Sequence, residues 1–568
     1  MTSPSTSNNP SKRPLEDYLK DELIALVKDL RRQKRFGLVW EDKAEDVVEQ
    51  CARELPVLEE VTERAIEDAS GEPTSLIIEG DNYHALSVLN YTHAGKVDVI
   101  YIDPPYNTGN QSWKYNNKYV DKDDPWKHSL WLSMMSKRLR LSRHLLKPNG
   151  ALIVAIDDYE VHHLGLLIDE IFTGYEKNLI IIEHHPQGAG SNTVSRTHEY
   201  AFVCTPAGTG FRGRKRREEE GSWSLKRSGQ GENNWRVNRP KQFFAVLVDE
   251  RTKKVTGVGP EIHRGITKYP MGIRHGKLYI YPIDKEGKER VWRYNRATMS
   301  ALIENGAIEY SERGALTVRK EVVGAVPVFS VWKDSRYNAG THGSSVLTKI
   351  MGTTNTFQYP KSLWTVYDII DLVHDEKDAV ILDFFAGSGT TGHAVLQLNR
   401  EDGGSRRFIL CTNNENGIAE EVTYPRIKRV IEGVPELPEL TGIPANVRYF
   451  KTAFVPKHDV SDDTRIALVR RSTEMICVRE GTFTKKYDNA RFKIYTDGST
   501  ASGILFDLDA IEEFKERLGT LGLPANLYVF SLSGDRFEDD FADLSVAHTL
   551  CPIPESILEV YRRLFTTV

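Results

Sequence analysis

The 568-residue sequence has few cysteines and no long apolar run. Its five cysteines are scattered and form no C-x-x-C pair, which argues against a zinc ribbon or a disulfide framework and fits a reducing cytosol. No apolar stretch approaches a membrane span, so we predict a cytoplasmic protein without a membrane or metal site. Excess positive charge is also missing, since the net charge is −5. Any nucleic-acid site must therefore be a local patch.

The domain organisation follows from changes in pattern along the chain. The polar residues 1–14 are expected to form a disordered tail, and the spacing of apolar residues over 15–70 predicts a helical region. Strands alternate with helices over 71–205 and again over 332–432, which predicts two parts of one α/β domain with a mostly parallel sheet. Residues 206–331 between them predict an inserted β-rich domain. Residues 433–568 predict a separate C-terminal α/β module for docking or dimerisation.

The first motif is Asp103-Pro104-Pro105-Tyr106, which directly follows the apolar run 97–102. That run is rich in β-branched residues and predicts a buried strand. The two prolines end it abruptly, because neither can donate to a sheet ladder. Asp103 and Tyr106 are then presented at the carboxyl end of a strand, where open α/β sheets bind ligands. Taken alone, this motif is also compatible with an ordinary strand exit.

The second motif is a glycine turn, in which the strand 379–382 leads into Asp383, Phe385, Gly387 and Gly389 before a helix. Its glycines permit positive φ and close approach of the backbone to a ligand. The nucleotide P-loop is excluded, because its Lys-Ser/Thr pair is absent.

Two acidic residues follow strands in the same α/β pattern. Glu415 lies just past the next strand, where an acid that holds a ribose would fall. Asp81 follows an earlier strand, and it either contacts a nucleoside or caps the helix behind it.

A basic stretch with interleaved tryptophans opens the predicted insertion. Basic residues with aromatics suit phosphate contact and base readout, although a charge run is also typical of a solvated loop. Its position between two halves of one domain favours DNA contact. The predicted DNA-binding residues are Arg214, Lys215, Arg216, Arg217, Arg236, Arg239 and Lys241.

The two motifs, in this order and with the insertion between them, resemble the paired signatures of S-adenosylmethionine-dependent amino-methyltransferases of DNA. The order is that of the circularly permuted β class, and the strings 78–86 and 101–109 resemble the modification subunits of type III restriction–modification systems. The resemblance implies a Rossmann-like methyltransferase sheet with an inserted target recognition domain. It also implies S-adenosylmethionine as cofactor, double-stranded DNA as substrate, a homodimer and a helicase–nuclease partner subunit.

The resemblance also implies residue roles. Asp103 and the Pro104 carbonyl would accept hydrogen bonds from the target amine within the turn that Pro105 completes, and Tyr106 would stack on the flipped base. The residues implied to bind the cofactor are Asp81, Asp383, Phe385, Gly387, Gly389, Glu415 and Lys361. Many relatives have a Lys-Pro pair near this lysine, whereas Ser362 follows it here.

The predicted activity is methyl transfer to adenine N6 in a short DNA sequence. Methylation of cytosine N4 needs the same amine geometry and is the nearest alternative, although Asp103 rather than Ser tilts toward adenine. A DNA-binding specificity subunit that mainly targets a partner nuclease is a further alternative. Relatives acting on protein glutamine carry Asn at the position of Asp103, which disfavours a protein substrate.

Overall fold

The computed structural model describes most of the chain as two compact units, one formed by residues 1–212 with 329–568 and one by residues 213–328. Within them the described residues are 20, 40–67, 73–109, 114–115, 118–121, 123–188, 194–211, 214–215, 221–229, 231–311, 314–320, 325–326, 328–354, 357–435, 440–457, 461–532 and 537–566. The expected tail, residues 1–14, lies outside them, as does nearly all of the helix predicted from residue 15.

A sheet of ten described strands forms the centre of the larger unit. In chain order its strands are β1 Glu54–Glu60, β2 Thr74–Glu79, β3 Val97–Ile102, β4 Leu146–Ile156, β5 Tyr175–Ile182, β6 Glu199–Pro206, β7 Val331–Trp332, β8 Val380–Asp383, β9 Arg407–Thr412 and β10 Asn446–Pro456. Their spatial order is β1-β10-β2-β9-β8-β3-β4-β6-β5-β7.

The middle of this sheet is parallel, as the alternation of strands and helices predicts. β10, β2, β9, β8, β3 and β4 pair in parallel, and antiparallel pairs occur only toward the two edges of the described sheet. All side chains of β3 and β8 are buried, as expected for strands covered on both faces. The mostly parallel α/β sheet predicted from the sequence is confirmed.

Helices connect these strands and cover the sheet. They span Asp46–Arg53, Asn82–Thr92, Lys127–Arg143, Val161–Ile171, Ser345–Met351, Leu363–Val373, Thr390–Asp402 and Tyr424–Glu432. Local chemistry sets several of their ends. Ser362 caps Leu363–Val373 by accepting a hydrogen bond from the Trp364 amide, and Gly403 ends Thr390–Asp402 in the left-handed conformation.

The structure differs from the sequence prediction at both flanks of the sheet. Residues 41–70 were expected to be charged helices, but among the described residues 41–67 only Asp46–Arg53 is an α-helix, and β1 follows it directly. The prediction was wrong because β1 is specified by its antiparallel partner β10, almost 400 residues away, as with Leu55 opposite Val455. β10 also belongs to the central sheet, so the expected boundary near residue 433 is too early.

The smaller unit is a β-rich insertion. Its strands are Arg214–Lys215, Gly221–Ser224, Phe244–Asp249, Val255–Glu261, Gly272–Arg274, Lys277–Ile280, Ile308–Tyr310, Leu316–Lys320 and Ala325–Val326, and its helix is Arg296–Glu304. The strands form antiparallel sheets that share a small apolar core around Phe244, Trp292 and Met299.

The C-terminal residues form a five-stranded sheet within the larger unit. Its strands are Thr484–Asp488, Phe492–Thr496, Ala501–Leu505, Ala525–Phe530 and His548–Ile553, with helices Ser461–Arg470, Thr473–Glu480, Ile511–Leu521 and Glu555–Thr566. Tyr528 and Tyr561 extend the core of the central sheet, and the Tyr561 hydroxyl donates to the Pro56 carbonyl. In the described part of the chain no helix has the length and apolarity to cross a membrane.

Candidate active site

The site lies at the carboxyl edge of four neighbouring parallel strands, β2, β9, β8 and β3. The chain runs from β2 to β3 and later inserts β8 and β9 between them. This reversal in strand order opens a crevice beyond the strand ends, where α/β enzymes bind nucleoside ligands. Both sequence motifs follow strands of this set, and β8 and β3 are direct neighbours, so the fold brings Asp383 and Asp103 to one place.

The turn that follows β3 is held from behind by a helix. The Pro105 carbonyl accepts a hydrogen bond of 2.7 Å from the indole nitrogen of Trp131, whose side chain is fully buried. Asn107 is also fully buried and takes a left-handed conformation with φ of 57°. Asp103 and Tyr106 are thus fixed between a rigid strand and a restrained loop exit.

Lys361 and Glu199 join this turn from distant parts of the chain. The Lys361 ammonium lies 3.1 Å from Asp103 Oδ1 and donates to Glu199 Oε2 at 2.7 Å. Lys361 also contacts the Tyr106 hydroxyl, which in turn donates to Glu199 Oε2 at 3.1 Å. One cation therefore stands between two carboxylates and a phenol.

Burial and these charges decide the ionisation of the cluster. Burial raises the pKa of Asp103, and Lys361 opposes that shift while Glu199 adds to it. For Glu199, burial also acts upward, but the Lys361 ammonium outweighs it and the pKa is lowered. The cation thus keeps Glu199 ionised and limits the rise at Asp103.

One oxygen of the Asp103 carboxylate can still accept a hydrogen bond from a ligand. This oxygen, Oδ1, is buried and makes no well-aligned hydrogen bond with any of the described residues, despite the nearby ammonium. A carboxylate oxygen has two lone pairs, and the ammonium at 3.1 Å leaves capacity at Oδ1 for a ligand that donates N–H or O–H groups. An exocyclic amine of a nucleobase is such a ligand, and the ring of Tyr106 offers a stacking surface.

The glycine turn after β8 has the backbone geometry that a cofactor needs. Gly387 and Gly389 have φ of 49° and 76°, which favours glycine. Asp383 accepts hydrogen bonds from the Phe385 amide and the Thr391 hydroxyl, and burial raises its pKa to about 7. A Cβ at Gly387 would lie 3.1 Å from the ring of Phe357, so this position favours glycine.

Three further residues predicted to bind the cofactor are Asp81, Glu415 and Lys361. Asp81 caps helix Asn82–Thr92 by accepting from the Tyr83 amide at 2.7 Å and also pairs with Arg138. Glu415 lies in a short turn after β9, at the same sheet edge. Lys361 lies at the catalytic turn rather than beside the glycines. Its predicted contact with the cofactor, like those of Asp81 and Glu415, stays a prediction.

Two residues of the site were missed by sequence reasoning. Glu199 was not singled out because it opens an apolar strand, yet an acid at the start of a buried strand is itself a signal. Arg426 is fully buried and donates to the Ser388 carbonyl and the Thr390 hydroxyl, which supports the glycine turn. Its helix lies 37 positions downstream of Gly389, so no local pattern joins them.

The fold and the site together define an α/β enzyme with a nucleoside-cofactor turn beside a nucleobase-binding turn. The sequence profile of the DNA methylase family, which covers N6 and N4 methyltransferases, matches residues 97–422. The chain belongs to this family. It is a DNA methyltransferase, and S-adenosylmethionine is its methyl donor.

Two sequence relatives agree with this assignment. The type II methyltransferase M.KpnI of Klebsiella pneumoniae is 31% identical over 62% of this chain and 83% of its own length. The Mod subunit of the type III enzyme StyLTI from Salmonella typhimurium is 32% identical over 63% of this chain, and the match spans 55% of that subunit. Among solved structures, the M1.HpyAVI–SAM complex is 14% identical, covering 62% of this chain and 98% of that one, with a TM-score of 0.26.

The role of Lys361 predicts a change in the pH profile. In Lys361→Met, loss of the ammonium removes the charge that opposes the rise in the pKa of Asp103, and the ionised carboxylate is the stronger hydrogen-bond acceptor. The acidic limb of kcat should therefore move to higher pH by about 1 to 3 units. Methyl transfer measured across pH tests this, with Lys361→Arg expected to retain the wild-type limb. Lys515→Met, in the C-terminal sheet region, controls for loss of a lysine. An unmoved limb would contradict the assignment.

Proposed function

We propose that this chain methylates adenine N6 at a short DNA sequence as the modification subunit of a type III-like restriction–modification system. The observation that carries the proposal is the turn after β3, where a buried Asp103 oxygen makes no well-aligned hydrogen bond with the described residues and Tyr106 belongs to the same turn. The cytoplasm is the proposed location, supported by five cysteines that are all free thiols.

The chemistry follows from what a nucleobase amine needs. Its lone pair is delocalised into the ring, so it is a poor nucleophile. Asp103 and the Pro104 carbonyl accept hydrogen bonds from its two N–H groups and draw the nitrogen toward sp³ geometry, which frees the lone pair for attack. The base reaches this turn only after leaving the duplex stack, and Tyr106 offsets part of that cost by stacking.

The glycine turn and its neighbours would hold the cofactor. Gly387 and Gly389 would fit a bound ligand, because glycines with positive φ let the backbone approach a ligand closely. Phe385 and Asp383 lie in the same turn, and Glu415 follows the adjacent strand. S-adenosylmethionine supplies an electrophilic methyl group at this place. The chain's own contribution is to bring the amine and this turn together at adjacent strand ends.

Adenine is the proposed base because an Asp, not a Ser, opens the catalytic turn. The Mod subunit of StyLTI, a relative at 32% identity, supports the type III setting. A homodimer and a helicase–nuclease partner belong to the same proposal. Cytosine N4 remains the second candidate, since the amine geometry is the same.

The insertion is proposed to read the DNA, and its described residues revise the predicted contact set. Arg236 is buried, ion-paired with Glu289 and bonded to the carbonyls of Ile262, His263 and Ile266, so it stabilises the insertion and does not contact DNA. Lys241 is exposed and Arg239 half-buried. Arg214 and Lys215 lie in a short strand whose side chains are not described, and Arg216 and Arg217 lie outside the described residues.

A cluster of three arginines strengthens the proposed contact. Burial lowers the pKa of Arg227, and the nearby cations of Arg239 and Arg293 lower it further. Positive charge from Arg239 and Arg293 near Arg227 makes a local basic patch, which attracts a polyanion. Phosphates of the DNA backbone are that polyanion in our proposal.

Removing this cluster should weaken DNA binding without sequence preference. In the triple variant R227Q/R239Q/R293Q, the slope of log affinity against log salt should fall by about 0.9 for each lost phosphate contact. Fluorescence anisotropy with duplex DNA over a salt series measures it. R251Q/K253Q, which removes exposed charges from a turn of the same insertion, is the matched control. An unchanged slope in the triple variant would contradict the phosphate role.

The experiment that tests the function is single-molecule sequencing of DNA from a methylation-free host that expresses this chain. N6-methyladenine at one short motif, absent with Tyr106→Ala, would establish reaction, base and target together. Marks on one strand only would support the type III setting. N4-methylcytosine would overturn the choice of base, and no modification from folded protein that binds S-adenosylmethionine would overturn the proposed DNA target or require the partner subunit.

A further inference from the structure

A buried carboxylate outside the known motifs lies behind the catalytic turn. Glu160 immediately precedes helix Val161–Ile171, and its side chain is fully buried. Its Oε1 accepts a hydrogen bond of 2.5 Å from the Asn107 side chain and one of 2.7 Å from His128 Nδ1. Its Oε2 accepts one of 2.8 Å from His163 Nδ1. The carboxylate therefore receives three donors from three segments of the chain.

Asn107 connects this carboxylate to the reacting groups. It directly follows Tyr106, and its φ of 57° is one that few residues other than glycine and asparagine tolerate. Its side-chain amide bonds both Glu160 and the Lys127 carbonyl, the latter at 3.2 Å. The amide thus fixes the residue at which the catalytic turn leaves the crevice.

The same helix restrains the turn at two points. His128 and Trp131 are three residues apart on helix Lys127–Arg143, so they project from one face. Trp131 bonds the Pro105 carbonyl directly, and His128 acts through Glu160 and Asn107. The residues on either side of Tyr106 are thereby tied to one rigid element.

We propose that Glu160 is a positioning residue for methyl transfer, which anchors Asn107 and so holds Asp103 and Tyr106 in their reactive arrangement. This inference rests on the proposed function. A displacement of reacting groups by about 1 Å costs on the order of 100-fold in rate, so an anchor at the residue after Tyr106 affects kcat. Binding of the cofactor should persist, because the hydrogen bonds that Glu160 makes among the described residues go to Asn107, His128 and His163.

A metal site is the alternative for these side chains. His128, Glu160 and His163 have ligand atoms within 4.8 Å of one another, close enough to hold a cation. The hydrogen bonds favour the anchor instead. Both carboxylate oxygens already accept N–H groups, and one donor is an amide nitrogen, which has no lone pair to offer a metal.

The test compares variants of Glu160 and Asn107 in the full-length protein. Glu160→Gln keeps the side-chain shape but presents one acceptor where two are used. Its kcat for methyl transfer to DNA from a methylation-free host should fall about 100-fold, with little change in KM for DNA or S-adenosylmethionine. Glu170→Gln, which alters an exposed carboxylate on the same helix, is the control and should behave as wild type.

Asn107→Gly distinguishes the role of the side chain from that of the backbone conformation, since glycine adopts the left-handed conformation freely. It should be as slow as Asn107→Ala, because both lose the amide anchor. Full activity of Asn107→Gly or Glu160→Gln would overturn the inference, as would loss of wild-type activity to a chelator that added Zn²⁺ restores. Inactive wild-type protein would count against the proposed function instead. Thermal melting identifies variants that fail to fold.

Discussion

Asp103→Ala is expected to lower kcat for DNA methylation by about 100- to 1,000-fold, the usual loss when a preorganised hydrogen-bonding group is removed from a reacting centre. The carboxylate is the acceptor whose Oδ1 has no well-aligned donor among the described residues. Without it, the amine keeps its planar, delocalised form and attacks slowly. Binding of S-adenosylmethionine should persist, because the glycine turn belongs to a different strand connection.

Single-turnover methyl transfer and isothermal titration with S-adenosylmethionine test this prediction together. Asp157→Ala is the matched control, since that residue directly follows the neighbouring strand β4 and burial raises its pKa to about 6. It should keep most of the activity. A variant of Asp103 with near wild-type kcat would show that the turn only binds the base. Lost cofactor binding would place Asp103 in the cofactor site instead.

Gly387→Val is expected to weaken binding of S-adenosylmethionine by at least about tenfold. The left-handed strain of roughly 1–2 kcal/mol lowers the stability of the fold, whereas affinity falls when the turn loses contacts with the cofactor, by about tenfold for each 1.4 kcal/mol. The added Cβ would also lie 3.1 Å from the ring of Phe357, so the ring or the turn must move. Either movement changes the surface that faces the cofactor.

The control for Gly387→Val is Gly403→Val, at the other end of the helix that follows the glycine turn. Gly403 also has positive φ, 66°, but a side chain there would meet no atom within 4 Å. Both variants should lose similar stability in thermal denaturation, while only Gly387→Val loses cofactor affinity by titration calorimetry. Equal affinity in both variants would remove Gly387 from the cofactor site.

The sequence by itself determined the parts of this protein that are local. β3 and β8 are short β-branched runs ended by proline or by a glycine turn, so their identity and the exposure of Asp103 follow from neighbouring residues. Gly387 and Gly389 likewise indicate a turn with positive φ from the local sequence alone. The alternation of strands and helices fixed the α/β class, and the family resemblance drew on these same local strings.

Only the tertiary structure decided what depends on distant pairing. The charged residues of β1 predicted a helix. The segment is a strand because it pairs with β10, which lies almost 400 residues away. Arg236 was predicted from the sequence to contact DNA, but in the structure it pairs with Glu289 and donates to three carbonyls. Lys361, Glu199 and Glu160 reach the catalytic turn from segments that share no periodicity with it. A buried charge takes its partner through space, so its role depends on burial and packing that sequence spacing does not record.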